Sequence, residues 1–214
     1  MALLSEPKRL GDVVKFEDDM KLYSRDQIVL ITGQNLLTGS VLGLITLGAV
    51  SQAFVGTGNG TLVMDVTTPL LALAEAGAYK VVFLSATTYR VFSPTGREIG
   101  EGSNGIAFAN LIKFVTAAGA TPFIAGDTFT VTIAAGSGKA TAVAPAALDG
   151  SQNAKGVLIE DVNAAAADVG TTMVARFAIV SDNGLIWPAG ISAPNKAAGV
   201  SQLIAAGILV RAGA

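Results

Sequence analysis

The stretch from Asp149 to Gly190, DGSQNAKGVLIEDVNAAAADVGTTMVARFAIVSDNGLIWPAG, carries the clearest structural plan in the chain. Asp149-Gly150-Ser151 is a turn signal, and Gly156-Val157-Leu158-Ile159 is a short apolar strand ending at Glu160-Asp161. A small-residue loop follows. From Thr171 to Val180 the residues alternate, with Met173, Ala175, Phe177 and Ile179 on one face and Thr172, Val174, Arg176 and Ala178 on the other. That is the period of a half-buried strand. Asp182-Asn183-Gly184 has the composition of a two-residue hairpin turn, where Asn and Gly accept positive φ. Leu185-Ile186-Trp187 reads as the returning strand, stopped by Pro188, which lacks a backbone donor.

Beyond this stretch, Pro194 is placed to open a helix with Ser192 as its cap. Ala197, Val200 and Ile204 would share one helix face. Gly207 ends it, and Ile208-Leu209-Val210 reads as a last strand. This order of features (DG turn, Gly-Val-Leu strand, small-residue loop, long strand, hairpin, apolar-Trp-Pro ending, short helix, final strand) resembles the bacteriophage lambda-type head decoration proteins. The resemblance covers about Ala140 to Arg211, and more loosely YSRDQIVLITGQNLLTGSVLGLIT, Tyr23 to Thr46. It implies a cement protein on the outer surface of the expanded capsid, bound to the major capsid protein as homotrimers at three-fold positions and holding the shell against packaged DNA.

Composition sets independent bounds. Of the 214 residues, 51% are hydrophobic and only 14% charged, well below the roughly 25% charge of ordinary soluble domains. So little charge suggests a surface covered in part by other protein copies. A net charge of −2 lacks the basic footprint of a nucleic-acid binder, so nucleic acid is not an expected partner. The chain has no cysteine and no histidine, which removes disulfides, thiolate chemistry, imidazole general bases and Cys- or His-ligated zinc. No cofactor or metal is expected. Met1-Ala2-Leu3-Leu4 runs straight into Ser5-Glu6-Pro7 without the basic start and apolar run of a signal peptide. The uncharged run from Gln27 to Met64 is too often interrupted by polar residues and glycine for a helix in lipid. It reads as strands and turns, and no membrane is expected.

Ser5 to Asp19 is the most charged part of the chain and lies within an N-terminal arm, residues 1–22. Composition alone reads them as a mobile arm. The resemblance implies instead that the arm becomes ordered on the capsid, with Glu6, Pro7, Lys8, Arg9, Val13, Val14 and Phe16 as its binding residues and Gly11 to Phe16 extending as an added strand on a capsid edge. Asp26 to Leu30 and Ser40 to Leu47 read as strands around a Gly33-Gln34-Asn35 turn. Leu47 to Val55 fits strand or loop.

Two glycine clusters, Gly56-Thr57-Gly58-Asn59-Gly60 and Gly136-Ser137-Gly138-Lys139, look like hinges. They divide the chain into a decoration-like domain, 23–55 with 139–214, and an inserted domain, 56–138. The insert reads as β: Thr61 to Val66, Ala78 to Leu84, Tyr89 to Phe92, a Ser93-Pro94-Thr95-Gly96 turn, Arg97 to Ile99, and Thr128 to Ile133, whose Phe129, Val131 and Ile133 alternate with three threonines. Ala107 to Phe114 fits no one pattern. Short strands with turns every ten or so residues predict a small sandwich or barrel, similar in composition to immunoglobulin-like inserts. The expected fold is thus mainly β with a minor helix, a small decoration-like β domain interrupted by a β-sandwich or barrel.

The motifs that suggest chemistry are incomplete. A phosphate loop ending at Gly138-Lys139 needs a Gly where Ile133 stands and a Ser or Thr where Ala140 stands. Gly56 to Gly60 lacks the spacing and following helix of a dinucleotide site. Glu160, Asp161 and Asp168 suggest a carboxylate pair or calcium ligands, against the plainer reading of a solvated loop, and Glu17-Asp18-Asp19 is read the same way. Trp187 with Pro188 reads as a core plug or an interface anchor. Composition and motifs thus describe a sparsely charged, assembly-prone β protein poor in chemistry, and the resemblance implies a non-enzymatic virion protein. The rival reading is a carbohydrate- or host-surface-binding module with a glycan held by the insert.

Overall fold

The computed structural model of the protein describes residues 8–212. The chain forms two compact units: unit 1 combines the chain up to Ile45 with the chain from Gly138 onward, and unit 2 is Thr46–Ser137. With elements numbered along the chain, unit 1 begins with α1 (Leu10–Val13), β1 (Val14–Glu17), β2 (Arg25–Leu30), β3 (Gln34–Leu36) and β4 (Val41–Leu44). After the eight strands of unit 2 it continues with β13 (Ala140–Ala142), β14 (Ala154–Leu158), β15 (Val162–Ala164), β16 (Val169–Val174), β17 (Ala178–Ser181), α2 (Ala193–Ala205) and β18 (Ile208–Arg211).

Five strands close a barrel in the order β13-β2-β16-β14-β4, β1-β17-β18 form a second sheet, and β15 pairs with β3. Closure removes the free edges that an open sheet would expose. Leu30, Leu42, Leu158 and Met173 form one apolar cluster of this unit, and Val13, Val157, Val174, Val180, Leu203 and Ile208 belong to a second. Both are almost wholly aliphatic.

The long strand expected over Thr171 to Val180 is two strands. Ala175 and Arg176 intervene, and Phe177 takes a left-handed backbone, φ +49°, so the chain leaves the barrel and starts a new sheet. The expected hairpin is also different. Asp182–Gly184 is a single 3-10 turn, and Ile186 bridges in parallel to Ser40 instead of returning against β17. Asp182-Asn183-Gly184 has turn chemistry, but the partner of the following residues is set by tertiary packing. The turn expected at Gly33-Gln34-Asn35 gives way after Gly33 to β3, which pairs with a strand in the small-residue loop.

Ser192 caps α2, its hydroxyl accepting from the Asn195 N–H at 3.3 Å, with Pro194 in the first turn as expected. The buried helix face is Gly199 and Leu203, not Ala197, Val200 and Ile204. A Cβ at Gly199 would stand 2.5 Å from Cζ3 and 2.7 Å from Cη2 of Trp187, so the edge of the indole reaches a bare stretch of helix. Gln202 adds two bonds, accepting from the Ala154 N–H at 2.7 Å and donating to the Asn153 side chain at 3.2 Å.

Unit 2 contains β5 (Leu47–Val55), β6 (Thr61–Met64), β7 (Gly77–Phe83), β8 (Thr88–Phe92), β9 (Glu98–Ser103), β10 (Phe108–Ala109), β11 (Lys113–Ala117) and β12 (Thr128–Ala135). One sheet runs β5-β12-β7-β8-β9 and the other β10-β11-β6. Phe83 and Tyr89 from the first, Phe108 and Phe114 from the second, and Phe123 from a loop make one connected cluster of rings, with Phe83 and Phe123 stacked 3.9 Å apart. Offset aromatic pairs of this kind add to what burial of their area contributes. Phe129, Val131 and Ile133 of β12 are buried as their alternation requires.

The boundary of this unit lies at Thr46, ten residues before the glycine cluster, because β5 pairs with β12 from Leu47 to Val55. Gly56 to Gly60 is not a hinge but a close-packed loop. The Thr57 and Gly58 N–H groups both donate to the buried Asp127 carboxylate at 3.0 Å. A Cβ at Gly58 or Gly60 would collide with the Phe123 ring.

Candidate functional site

The residues expected to bind a partner begin at the N-terminal segment. Glu6 and Pro7 lie outside the described residues. Lys8 Nζ donates to the carbonyls of Asn183 at 2.9 Å and Gly184 at 3.1 Å, and the Arg9 N–H donates to the Asp12 carboxylate at 2.8 Å. Val13 is fully buried among the side chains of unit 1, with Val14 packed partly against it. Gly39 and Gly184 make room for this segment: a Cβ at Gly184 would stand 2.7 Å from the Asp12 carbonyl and 2.8 Å from Cα of Val13. A strand does form where one was expected, at Val14–Glu17, but it pairs with the chain's own β17.

Glu17 ties down the end of β1. It accepts from the Arg25 guanidinium at 2.6 and 2.7 Å and from the Ser24 hydroxyl at 2.7 Å. The bidentate bond from Arg25, ahead of the smaller contribution of Ser24, holds its carboxyl below the ordinary value against the opposing effect of burial.

Next to this anchor the surface turns apolar. Phe16 is 60% exposed, Leu22 84% and Phe177 54%, with Met20 and Tyr23 also in solvent. The rings of Tyr23 and Phe177 lie 5.0 Å apart. Arg176 fastens the arrangement by donating to the Tyr23 carbonyl at 2.9 Å and pairing with Asp26. Both described non-glycine residues with positive φ, Lys21 and Phe177, are in this patch. That conformation costs an ordinary residue about 1–2 kcal/mol. Strain of this kind collects at sites with a job beyond packing.

The sequence names Phe16 but not Met20, Leu22, Tyr23 and Phe177. Met20-Lys21-Leu22-Tyr23 was a readable signal, an apolar run between charged neighbours. Phe177 was not, since its alternation places it on one face with Met173 and Ala175, which are buried. Trp187 packs against α2 and the core of unit 1, and the Pro188 carbonyl accepts from the Ile191 N–H at 3.2 Å in a turn. Their role visible here is internal.

The carboxylates that suggested chemistry hold loops. Glu160 accepts from the Thr171 hydroxyl at 2.7 Å; Asp161 accepts from the N–H and hydroxyl of Thr38 at 2.7 and 2.8 Å; and Asp168 accepts from the Thr32 N–H at 2.9 Å and pairs with Lys139. Among the described residues no group of three or more acidic side chains could hold a metal ion. No described helix is long and apolar enough to cross a membrane.

No curated protein matches the chain. Two crystal structures of Xanthomonas campestris FlgL, in space groups H3 and C2, share 21% identity with it over 46% and 48% of its length, with TM-scores of 0.31 and 0.30. The chain spans 33% of each of those proteins, and a likeness at that level carries no argument. The model of the bacteriophage lambda head decoration protein D family matches residues 3–208, which takes in the stretch Tyr23 to Thr46, the other stretch that carried the resemblance as far as Ile208, and everything between them. The chain belongs to the bacteriophage lambda head decoration protein D family, and with it to the structural proteins of the phage head.

Proposed function

We propose that this protein is a non-enzymatic cement that binds the outer surface of the phage capsid as a homotrimer, with the apolar patch of Phe16, Met20, Leu22, Tyr23 and Phe177 against the major capsid protein. The observation that carries the reading is Phe177, a phenylalanine held in a costly left-handed conformation and yet half exposed. Its ring meets only one face of Tyr23 and stays half in solvent; a partner that buries the rest of it would offset the strain. Covering an exposed Phe side chain contributes about 1.5–3 kcal/mol, so five large side chains offer at most about 7–15 kcal/mol, and association costs of about 4–15 kcal/mol leave one copy a modest grip.

Three copies fixed in one trimer turn this into a stable clamp, because the second and third contacts form at high effective concentration. Residues Lys8 to Val14 serve the patch by holding β1 in place. Arg9 is exposed and joins Glu6 and Pro7 among the residues proposed to bind. Shell stabilisation then follows from bridging neighbouring capsid subunits.

The test is co-sedimentation with expanded, undecorated capsids of the virus. Saturable pelleting of the full chain, lost in the Phe16→Ser/Phe177→Ser double variant, supports the proposal. Failure of the full chain to pellet overturns the capsid reading, and undiminished pelleting of the folded double variant overturns the patch.

A further inference from the structure

The free edge of β5 in unit 2 differs from every other sheet edge among the described residues. β9, the opposite edge, carries Glu98 and Glu101 with a register irregularity beside it, and β1 carries Lys15 and Glu17. β10 has two residues, while β6 and β18 have four. These are the usual protections against strand-to-strand association. β5 is nine residues long, LGAVSQAFV, with no charge and no proline. Its ladder with β12 is regular from Val50 to Val55.

The hydrogen-bond phase of the sheet shows which groups it offers. The Phe83 N–H donates to the Asp127 carbonyl at 2.8 Å, so the odd-numbered residues of β12 bond to β7 and the even-numbered ones to β5. Ser51, Ala53 and Val55, opposite Thr132, Thr130 and Thr128, therefore turn their backbone groups inward to β12. Val50, Gln52 and Phe54 turn theirs outward.

We infer that two copies of this chain pair through this edge, β5 against β5 in antiparallel register about a two-fold axis at Gln52, joining two five-stranded sheets into one. Only an axis through a residue, not between residues, matches outward groups to outward groups. With the axis at Gln52 its backbone pairs with its own copy, and Val50 stands opposite Phe54 on both sides, a favourable β-branched and aromatic pair. Ser51 falls opposite Ala53. No like charges meet. The pairing also explains Gln52 itself, a polar residue exposed on the same face as Val50 and Phe54 and opposite the buried Val131: its amide meets the partner copy's amide. An edge this free of charge suits a copy of itself, since a charged partner would find no complement on it.

The inference is independent of the capsid reading and is tested on the full chain without capsids. The chain has no cysteine, so Gln52→Cys creates a single thiol. In an antiparallel hydrogen-bonded pair the Cα atoms are about 5.5 Å apart, within disulfide reach. Under mild oxidation Gln52→Cys is expected to give a disulfide-linked dimer much faster than Glu101→Cys on the opposite edge. Gln52→Pro removes only an outward N–H, leaving the β12 ladder intact, and is expected to abolish the two-fold association in sedimentation, leaving no species larger than the proposed trimer, while the circular dichroism is unchanged. Equal cross-linking of the two cysteine variants, or self-association of the proline variant equal to that of the parent, overturns the inference, as does a parent chain that stays monomeric across concentration.

Discussion

The two units distribute their aromatic residues in opposite ways. Seven of the nine phenylalanines lie in unit 2, from Phe54 to Phe129, and five of these, Phe83, Phe108, Phe114, Phe123 and Phe129, are buried. Unit 1 has the other two, Phe16 and Phe177, and exposes both, while its own interior is built from Val, Leu, Ile, Ala and Met. In unit 2 the ring is a structural material. In unit 1 it is surface equipment, and a phenylalanine kept in solvent by a unit that packs well without it is available to a partner.

The contrast breaks most sharply at Phe123. Phe123→Ala leaves Phe83 without its stacking partner and opens a hole beside Gly58 and Gly60, at a cost of about 3–5 kcal/mol. Tryptophan fluorescence reports on unit 1 alone, because Trp187 is the only tryptophan. Hydrogen exchange is expected to rise throughout β5 to β12 while the Trp187 unfolding curve stays in place; a Trp187 curve that shifts equally would show that the units are not energetically separate. Glu17→Gln probes the anchor of β1 and removes a buried charge-assisted bond worth about 1–3 kcal/mol. Because the folded Glu17 carboxyl lies below its ordinary value of 4.5, its stabilisation is present above that value and is lost as pH falls through the lowered one. Acid unfolding of unit 1, followed at Trp187, is expected to be flatter in Glu17→Gln.

Smaller still is Gly199→Ala. Alanine favours a helix by about 1 kcal/mol over glycine, but its Cβ meets the Trp187 ring at 2.5 Å, and overpacking of that kind costs about 1–3 kcal/mol. A net loss of about 1 kcal/mol is expected by denaturant titration, with a shift in the Trp187 emission. Phe177→Gly is expected to change stability least, within about 1 kcal/mol, since relief of the left-handed strain offsets the freedom glycine gains in the unfolded chain. It is nevertheless expected to weaken capsid pelleting, and that separation of stability from binding is the sharpest statement of what the unit 1 rings do.

Much of the architecture could be read from local pattern. Thr128 to Ile133 alternates because one face of β12 lies in an aromatic core, and Val157-Leu158 is continuously apolar because the barrel closes around it; periodicity reports such facts directly. The places where reading failed share a cause. The contact of Phe177 with Tyr23, the bridge from Ile186 to Ser40 and the use of Gly199 as a seat for Trp187 each involve a residue outside the local pattern. Glycine was ambiguous for the same reason: Gly56 to Gly60 marks close approach to Asp127 and Phe123, which looks like a hinge until the neighbours are known. The patch was half legible, since Phe16 and Met20 to Tyr23 stand in one charged segment whereas Phe177 joins them through the fold.

β4 and β13 pair in antiparallel fashion, Leu44 opposite Ala140 and Leu42 opposite Ala142, and the Ile45 N–H extends the ladder to the Lys139 carbonyl at 2.9 Å. They are the two arms of a hairpin whose loop is the whole of unit 2. Closing a disordered loop of about ninety residues costs roughly 3 kcal/mol more than closing one of four. Within unit 2 the Gly136 N–H reaches the Thr46 carbonyl at 2.9 Å, so once that unit has folded its two ends already stand side by side and the loop is effectively short. The expected order of folding is that unit 2 assembles first from its own contiguous sequence and hands the barrel a pre-closed loop, so that slow steps in unit 2 would delay the last rungs of unit 1.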